Sequence, residues 1–167
     1  GSYLDYEKAL ELDSNNIRIY LTRGYEMSQY GNFQGAIQDY NKAIEIDSLS
    51  SDAYNDRGLV RLDLKRYQEA VKDFTRAIEL EPINGNIYFN RANALYELEY
   101  FNVALMDLNT AIAFQYTNDM AYFKRGIIEL ELNNIDAACS DFNRAVELGN
   151  PYASEYLNDL CKWWGEI

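Results

Sequence analysis

The chain has 167 residues, 48% of them apolar, and carries a net charge of −12, with 27 acidic residues, 15 basic residues and no histidine. That acidity argues against nucleic-acid phosphates and anionic membrane surfaces as partners. No apolar run approaches the length of a bilayer span, so no membrane insertion is expected. Without histidine the chain lacks the commonest general base and the commonest nitrogen metal ligand.

Gly1-Ser2 reads as a remnant of expression and is set aside. Residues 3–14 form the first predicted helix. Its Tyr6, Ala9 and Leu10 stand 34 residues before Tyr40, Ala43 and Ile44. This spacing recurs through the chain. Tyr20, Tyr54, Tyr88 and Tyr122 keep it, as do Arg23, Arg57, Arg91 and Arg125. Gly24, Gly58, Ala92 and Gly126 follow, then Ala36, Ala70, Ala104 and Ala138. Asp39, Asp73, Asp107 and Asp141 form another column, and Ala43, Ala77, Ala111 and Ala145 the last. A period of this length marks stacked supersecondary units rather than one globular core.

The units run 17–50, 51–84, 85–118 and 119–150. Within each, apolar residues recur twice at helical spacing. In 51–84, Ala53, Tyr54, Gly58, Leu62 and Leu64 mark one helix; Tyr67, Ala70, Val71, Phe74, Ala77 and Ile78 mark the next. Turn formers separate the helices: Gly31-Asn32, Asn133-Asn134 and Glu81-Pro82. Each unit is therefore a helical hairpin. Gly58 and Ala70 are expected on its facing sides, where two backbones approach. Residues 151–167 predict a capping helix from Pro151 to about Trp164, with Tyr156, Leu157, Leu160, Cys161 and Trp164 as its apolar stripe. Trp163 and Trp164 are alternatively a docking point for a partner.

These columns resemble the tetratricopeptide repeat. The family pattern has an aromatic at position 4, Leu-Gly at 7–8, an aromatic at 11, Ala at 20, an aromatic at 24, Ala at 27 and often Pro at 32. This chain has Tyr at 4, Gly or Ala at 8, Ala at 20 and 27, and Tyr40, Phe74, Leu108 and Phe142 at 24, with Pro82 at 32. Arg at position 7 makes it the Arg-Gly variety. Position 11 departs from the pattern with Met27, Arg61, Leu95 and Glu129. The resemblance implies an all-α right-handed superhelix: four complete hairpins, the second helix of a truncated repeat at 3–14, and a cap. Further repeats are expected upstream; lacking its partner helix here, the 3–14 helix is expected to have its apolar face exposed, frayed or covered by another chain.

The Arg and Asp columns lie 16 residues apart on opposite helices of a hairpin. Arg23, Arg57, Arg91 and Arg125 are expected to be semi-buried and to pair with Asp39, Asp73, Asp107 and Asp141, within one repeat or with the preceding one. Family ligands lie on the concave face, built from first-helix positions 2, 5, 6, 9, 12 and 13. Carried over, these positions are Leu21, Thr22, Tyr25 and Ser28 in the first repeat and Asn55, Asp56, Leu59, Leu62 and Asp63 in the second. The third contributes Asn86, Phe89, Asn90, Asn93, Tyr96 and Glu97, and the fourth Phe123, Lys124, Ile127, Leu130 and Glu131. Amides suit the main chain of an extended peptide, aromatics supply apolar anchors, and Asp63, Glu97 and Glu131 suit basic residues. Leu59 and Leu130 serve equally well as inter-helix packing. The lysine, asparagine and arginine clamp of the chaperone-binding subclass is missing: Asn90 and Asn93 are scattered matches, and Lys124 is its lone groove cation.

Glu97 and Glu131 form the nearest thing to an acid–base pair, yet no histidine, phosphate loop or nucleophile motif accompanies them. No enzyme activity and no cofactor are expected. Cys139 falls early on the last repeat's second helix and Cys161 late on the antiparallel cap, which brings the sulfurs close. Both a disulfide and a buried thiol pair fit. The reading is a non-catalytic scaffold or adaptor binding a protein or peptide, basic or apolar, in its groove. Self-association through the first helix, or a purely structural spacer, are the alternatives. Nothing in the sequence distinguishes cytoplasmic from exported.

Overall fold

The computed structural model describes residues 3–116 and 118–161, in two compact units, Gly1–Pro82 and Ile83–Ile167. The first holds α1 (Tyr3–Leu12), α2 (Ile17–Gln29), α3 (Phe33–Ile46), α4 (Ser51–Asp63) and α5 (Tyr67–Leu80). Helices α2/α3 and α4/α5 form antiparallel hairpins, α3 packs on α4, and α1 rests on α2. The second holds α6 (Gly85–Glu97), α7 (Phe101–Ala113), α8 (Asp119–Glu131), α9 (Ile135–Glu147) and α10 (Ala153–Leu160). Here α6/α7 and α8/α9 are the hairpins, α7 packs on α8, and α10 packs on α9. Every element among the described residues is helical, and no helix is long and apolar enough to cross a membrane.

The hairpin turns share one geometry. Gly31, Lys65, Glu99 and Asn133 follow α2, α4, α6 and α8 at intervals of 34, all in the left-handed region with φ from 58° to 77°. After each, a backbone N–H reaches back five residues, Asn32 to Met27 and Arg66 to Arg61 for example, which closes the helix end. Only the first turn uses glycine. Lys65 and Glu99 adopt a conformation that costs a side-chain-bearing residue about 1 kcal/mol. The sequence shows no turn former at either, so those two breaks were invisible to composition.

Small residues set the hairpin spacing, though not as expected. Ala36, Ala70, Ala104 and Ala138 are fully buried. The glycine column, however, faces the aromatic at position 24. A Cβ on Gly58 would lie 2.7 Å from the Phe74 ring, one on Gly126 2.7 Å from Phe142, and one on Gly24 2.8 Å from Tyr40. In the α6/α7 hairpin the column carries Ala92, and the matching residue is Leu108 rather than an aromatic. The extra methyl and the lost ring offset one another.

The last helix is shorter than Pro151–Trp164. Pro151 and Tyr152 form a turn, and the Asn150 side-chain oxygen accepts the backbone N–H groups of Tyr152 and Ala153, each at 3.0 Å. These bonds hold the turn from which α10 starts at Ala153. Asn150 also donates to Asp119 at 2.9 Å, which ties the turn to α8. The stripe residue Trp164 and its neighbour Trp163 lie outside the described residues.

Candidate binding face

The invariant polar columns meet inside the hairpins. The guanidinium of Arg23 donates through Nε and Nη2 to Asp39, at 2.7 Å and 2.7 Å. Arg57 grips Asp73 in the same forked way, Arg91 grips Asp107, and Arg125 grips Asp141. The aspartates are buried and the arginines mostly so. Each arginine belongs to the same hairpin as its aspartate. Each also lies 5.5–5.8 Å from the centroid of the tyrosine three residues before it, Tyr20, Tyr54, Tyr88 or Tyr122. Arg57 and Arg125 reach the preceding hairpin as well: Arg57 donates to Asn41 at 2.6 Å, and Arg125 to Asn109 at 2.7 Å. The hydrogen bonds to Asp107 and Asp141 hold the Arg91 and Arg125 guanidinium groups still more firmly protonated. Asp73 carries a second cation, because Arg61 Nη1 donates to it at 2.5 Å. Arg61 occupies the position where the family pattern has an aromatic. These side chains are occupied by the fold and are not offered to a partner.

In the first unit the expected face residues lie on α2 and α4. Tyr25 is 56% exposed and Leu59 37%. Asp63 is exposed, and Asn55 is half-buried, donating to Asp56 at 3.1 Å. Burial pushes the Asp56 carboxyl up to about 6, with Asp52 adding to the rise and the Asn55 hydrogen bond opposing it. The Tyr40 hydroxyl is held neutral by burial first and by the Asp56 charge second, with Ser28 and Tyr25 also beside it.

In the second unit Asn86, Glu97 and Glu131 are exposed and Asn93, Tyr96, Phe123, Lys124 and Ile127 are half-buried. Two residues expected on the face are instead interior. Phe89 packs against Tyr116, with ring centroids 4.9 Å apart, and Asn90 is only 7% exposed. Phe123 and Ile127 are partly used by packing: both pack against the Ala138, Cys139 and Phe142 cluster. Phe123 lies 5.7 Å from Tyr156 and 6.2 Å from Tyr152. Leu130 packs there too. Lys124 places its ammonium 5.6 Å from the Tyr96 ring centroid. Burial, followed by the Glu131 and Glu97 carboxylates, raises the Tyr96 hydroxyl. Tyr96, Lys124 and the two glutamates thus lie together, with Lys124 the local cation. Tyr156 was readable as apolar stripe but not as part of this neighbourhood, because the contact depends on where α10 folds back.

Cys139 and Cys161 form a disulfide that fastens the end of α10 to the start of α9. Beside it, the Tyr156 and Phe142 rings stack with centroids 4.8 Å apart.

Family models of the tetratricopeptide repeat match residues 17–48, 51–84 and 121–148. The chain belongs to the tetratricopeptide repeat family. No curated protein sequence matches it. Among solved structures, this tetratricopeptide repeat (TPR) chain is similar to that of MamA, with a TM-score of 0.80 and 23% identity over 89% of this chain and 87% of that one. It is similar to YrrB, described as a TPR protein with an unusual peptide-binding site, with a TM-score of 0.80 and 26% identity over 92% and 79%. It also resembles the first TPR of Spaghetti (RPAP3) bound to the HSP90 peptide SRMEEVD, with a TM-score of 0.64 and 28% identity over 69% and 93%. The all-helical hairpin fold is shared with these TPR proteins.

Proposed function

We propose that this TPR chain is a non-catalytic interaction module. It binds a peptide or helical partner of basic or apolar character on the open faces of its first helices, α2 and α4 in one unit and α6 and α8 in the other. One observation carries the reading. The repeated columns are consumed inside the hairpins, whereas the column that differs between copies, Tyr25, Leu59, Asn93 and Ile127, keeps exposed or half-buried side chains. Variable, accessible and partly apolar positions on a rigid scaffold are where partner preference resides. The likeness to YrrB and to the peptide-bound RPAP3 repeat supports a peptide as the partner.

The test is recovery of partners from the source lysate on immobilised protein. Tyr25→Ala with Leu59→Ala addresses the first face, and Asn93→Ala with Tyr96→Ala the second. Loss of a recovered protein in either supports the reading; unchanged recovery in both favours a structural spacer. A second reading has its own observation: Leu4 and Leu12 on α1 are 62% and 91% exposed, an apolar edge suited to self-association. Light scattering across a concentration series decides it. A mass that stays monomeric ends that reading, and a dimer lost in Leu4→Glu with Leu12→Glu supports it.

A further inference from the structure

The aspartates inside the hairpins each hold an arginine, and Asp56 does not. It sits on α4, one residue before Arg57, and is half-buried. Its hydrogen bond comes from the neutral Asn55 amide. Among the described residues no lysine or arginine pairs with it. The charged and titratable groups nearby are Asp52 on α4 and the Tyr40 hydroxyl on α3, and that hydroxyl also has Asp39 on α3 and Tyr25 on α2 beside it. None of these supplies positive charge. A carboxylate taken from water without a cation is costly, and a native structure tolerates it where something else supplies the charge.

The surroundings fit one kind of occupant. Leu59 is exposed three residues from Asp56 on the same face of α4, and Tyr25 is exposed on α2 beside the Tyr40 hydroxyl that Asp56 also acts on. Both carry apolar surface that suits an aliphatic stem, and a tyrosine ring such as that of Tyr25 attracts a cation. We propose that Asp56 is the anchor point for an arginine or lysine side chain of the bound peptide, with Tyr25 and Leu59 holding its stem. This deepens the reading of the open face and rests on it. The raised carboxyl adds a consequence: the site is charged at neutral pH and discharges near pH 6.

The experiment follows the Asp56 carboxyl carbon by NMR in the intact protein, with three probes: N-acetyl-arginine methylamide, N-acetyl-norleucine methylamide and 1,4-diaminobutane. The arginine probe is expected to lower the Asp56 titration midpoint and to shift Tyr25, with binding at least tenfold weaker at pH 5 than at pH 7.5. Asp56→Asn should lose this binding while keeping its helical signal. Tyr25→Ala, at an exposed position, should weaken it several-fold while keeping its helical signal. An unmoved midpoint, equal binding by Asp56→Asn, or an equal response to the norleucine probe overturns the proposal. Diaminobutane binding more tightly than the arginine probe overturns the peptide as the source of the cation. The partner recovery assay separates this from the wider reading. A partner retained by Asp56→Asn but lost on Tyr25→Ala with Leu59→Ala removes the anchor and leaves the face standing.

Discussion

Asp73 and Asp56 lie in the same unit, on neighbouring helices, and meet opposite surroundings. Asp73 points into the hairpin, where Arg57 and Arg61 both donate to it. Asp56 is half-buried, accepts from the Asn55 amide and lies near the Tyr40 hydroxyl, with no cation paired to it among the described residues. The difference separates two uses of one residue type. In the hairpin, charge is fully matched and sets the register of two helices. At Asp56, charge is left unmatched at a cost to folding, which under the proposed anchoring a partner's cation offsets.

The largest test of this contrast is Asp73→Ala. It strands two arginines in the hairpin and should cost about 3–5 kcal/mol in urea unfolding. A loss below about 0.5 kcal/mol would show that the hairpin pairs are no better matched than surface pairs. Next is the α9–α10 clasp. Removing the disulfide with Cys139→Ala and Cys161→Ala reopens a link between residues 22 apart and should cost about 3 kcal/mol, confined to the unfolding of the second unit. Hydrogen exchange that leaves α10 as protected as before would refute that.

Gly58→Ala should cost about 1–3 kcal/mol by pushing a methyl into the Phe74 ring. Combined with Phe74→Leu, which reproduces the Ala92 and Leu108 arrangement, it should cost clearly less than the sum of the two single changes. Additive costs would show the two positions to be independent.

The smallest effect sharpens the contrast most, because its sign is reversed. Asp56 has a folded pKa of about 6, above the ordinary carboxyl value of 3.8. The folded state therefore holds its proton more tightly than the unfolded chain does. Stability falls as pH rises from about 4 through 6 and stays reduced above that. Asp56→Asn should accordingly gain about 1–2 kcal/mol at pH 8 and lose that gain as the pH is lowered towards 4. Thermal melts across that range check it. A variant that is less stable than the parent at pH 8 would place Asp56 among the structural aspartates after all.

Much of the fold was legible in advance because it is periodic. Hairpin helices repeat the same apolar and small positions every 34 residues, and a local period needs no tertiary knowledge to read. The open face was less legible. Phe89 and Asn90 fall at face positions of the repeat, yet Phe89 is drawn inward by Tyr116, a residue outside any repeated column. Phe123 and Ile127 are likewise partly taken up by α10, which folds back on α9. A column tells which way a residue leaves its helix, but not which neighbour will cover it.

The amino-acid sequence by itself determined the hairpins, their number among the repeated columns, and which aspartates stand level with which arginines. All of these follow from helical periodicity and a constant spacing. Only the tertiary structure decided that each arginine forks to its own hairpin's aspartate, that glycine at position 8 makes room for a ring, and that the two cysteines are joined. It alone decided that Asp56, spelled like its paired neighbours, stands without a cation. Those outcomes depend on which side chains converge across helices, and burial and charge matching are properties of that convergence rather than of any one segment.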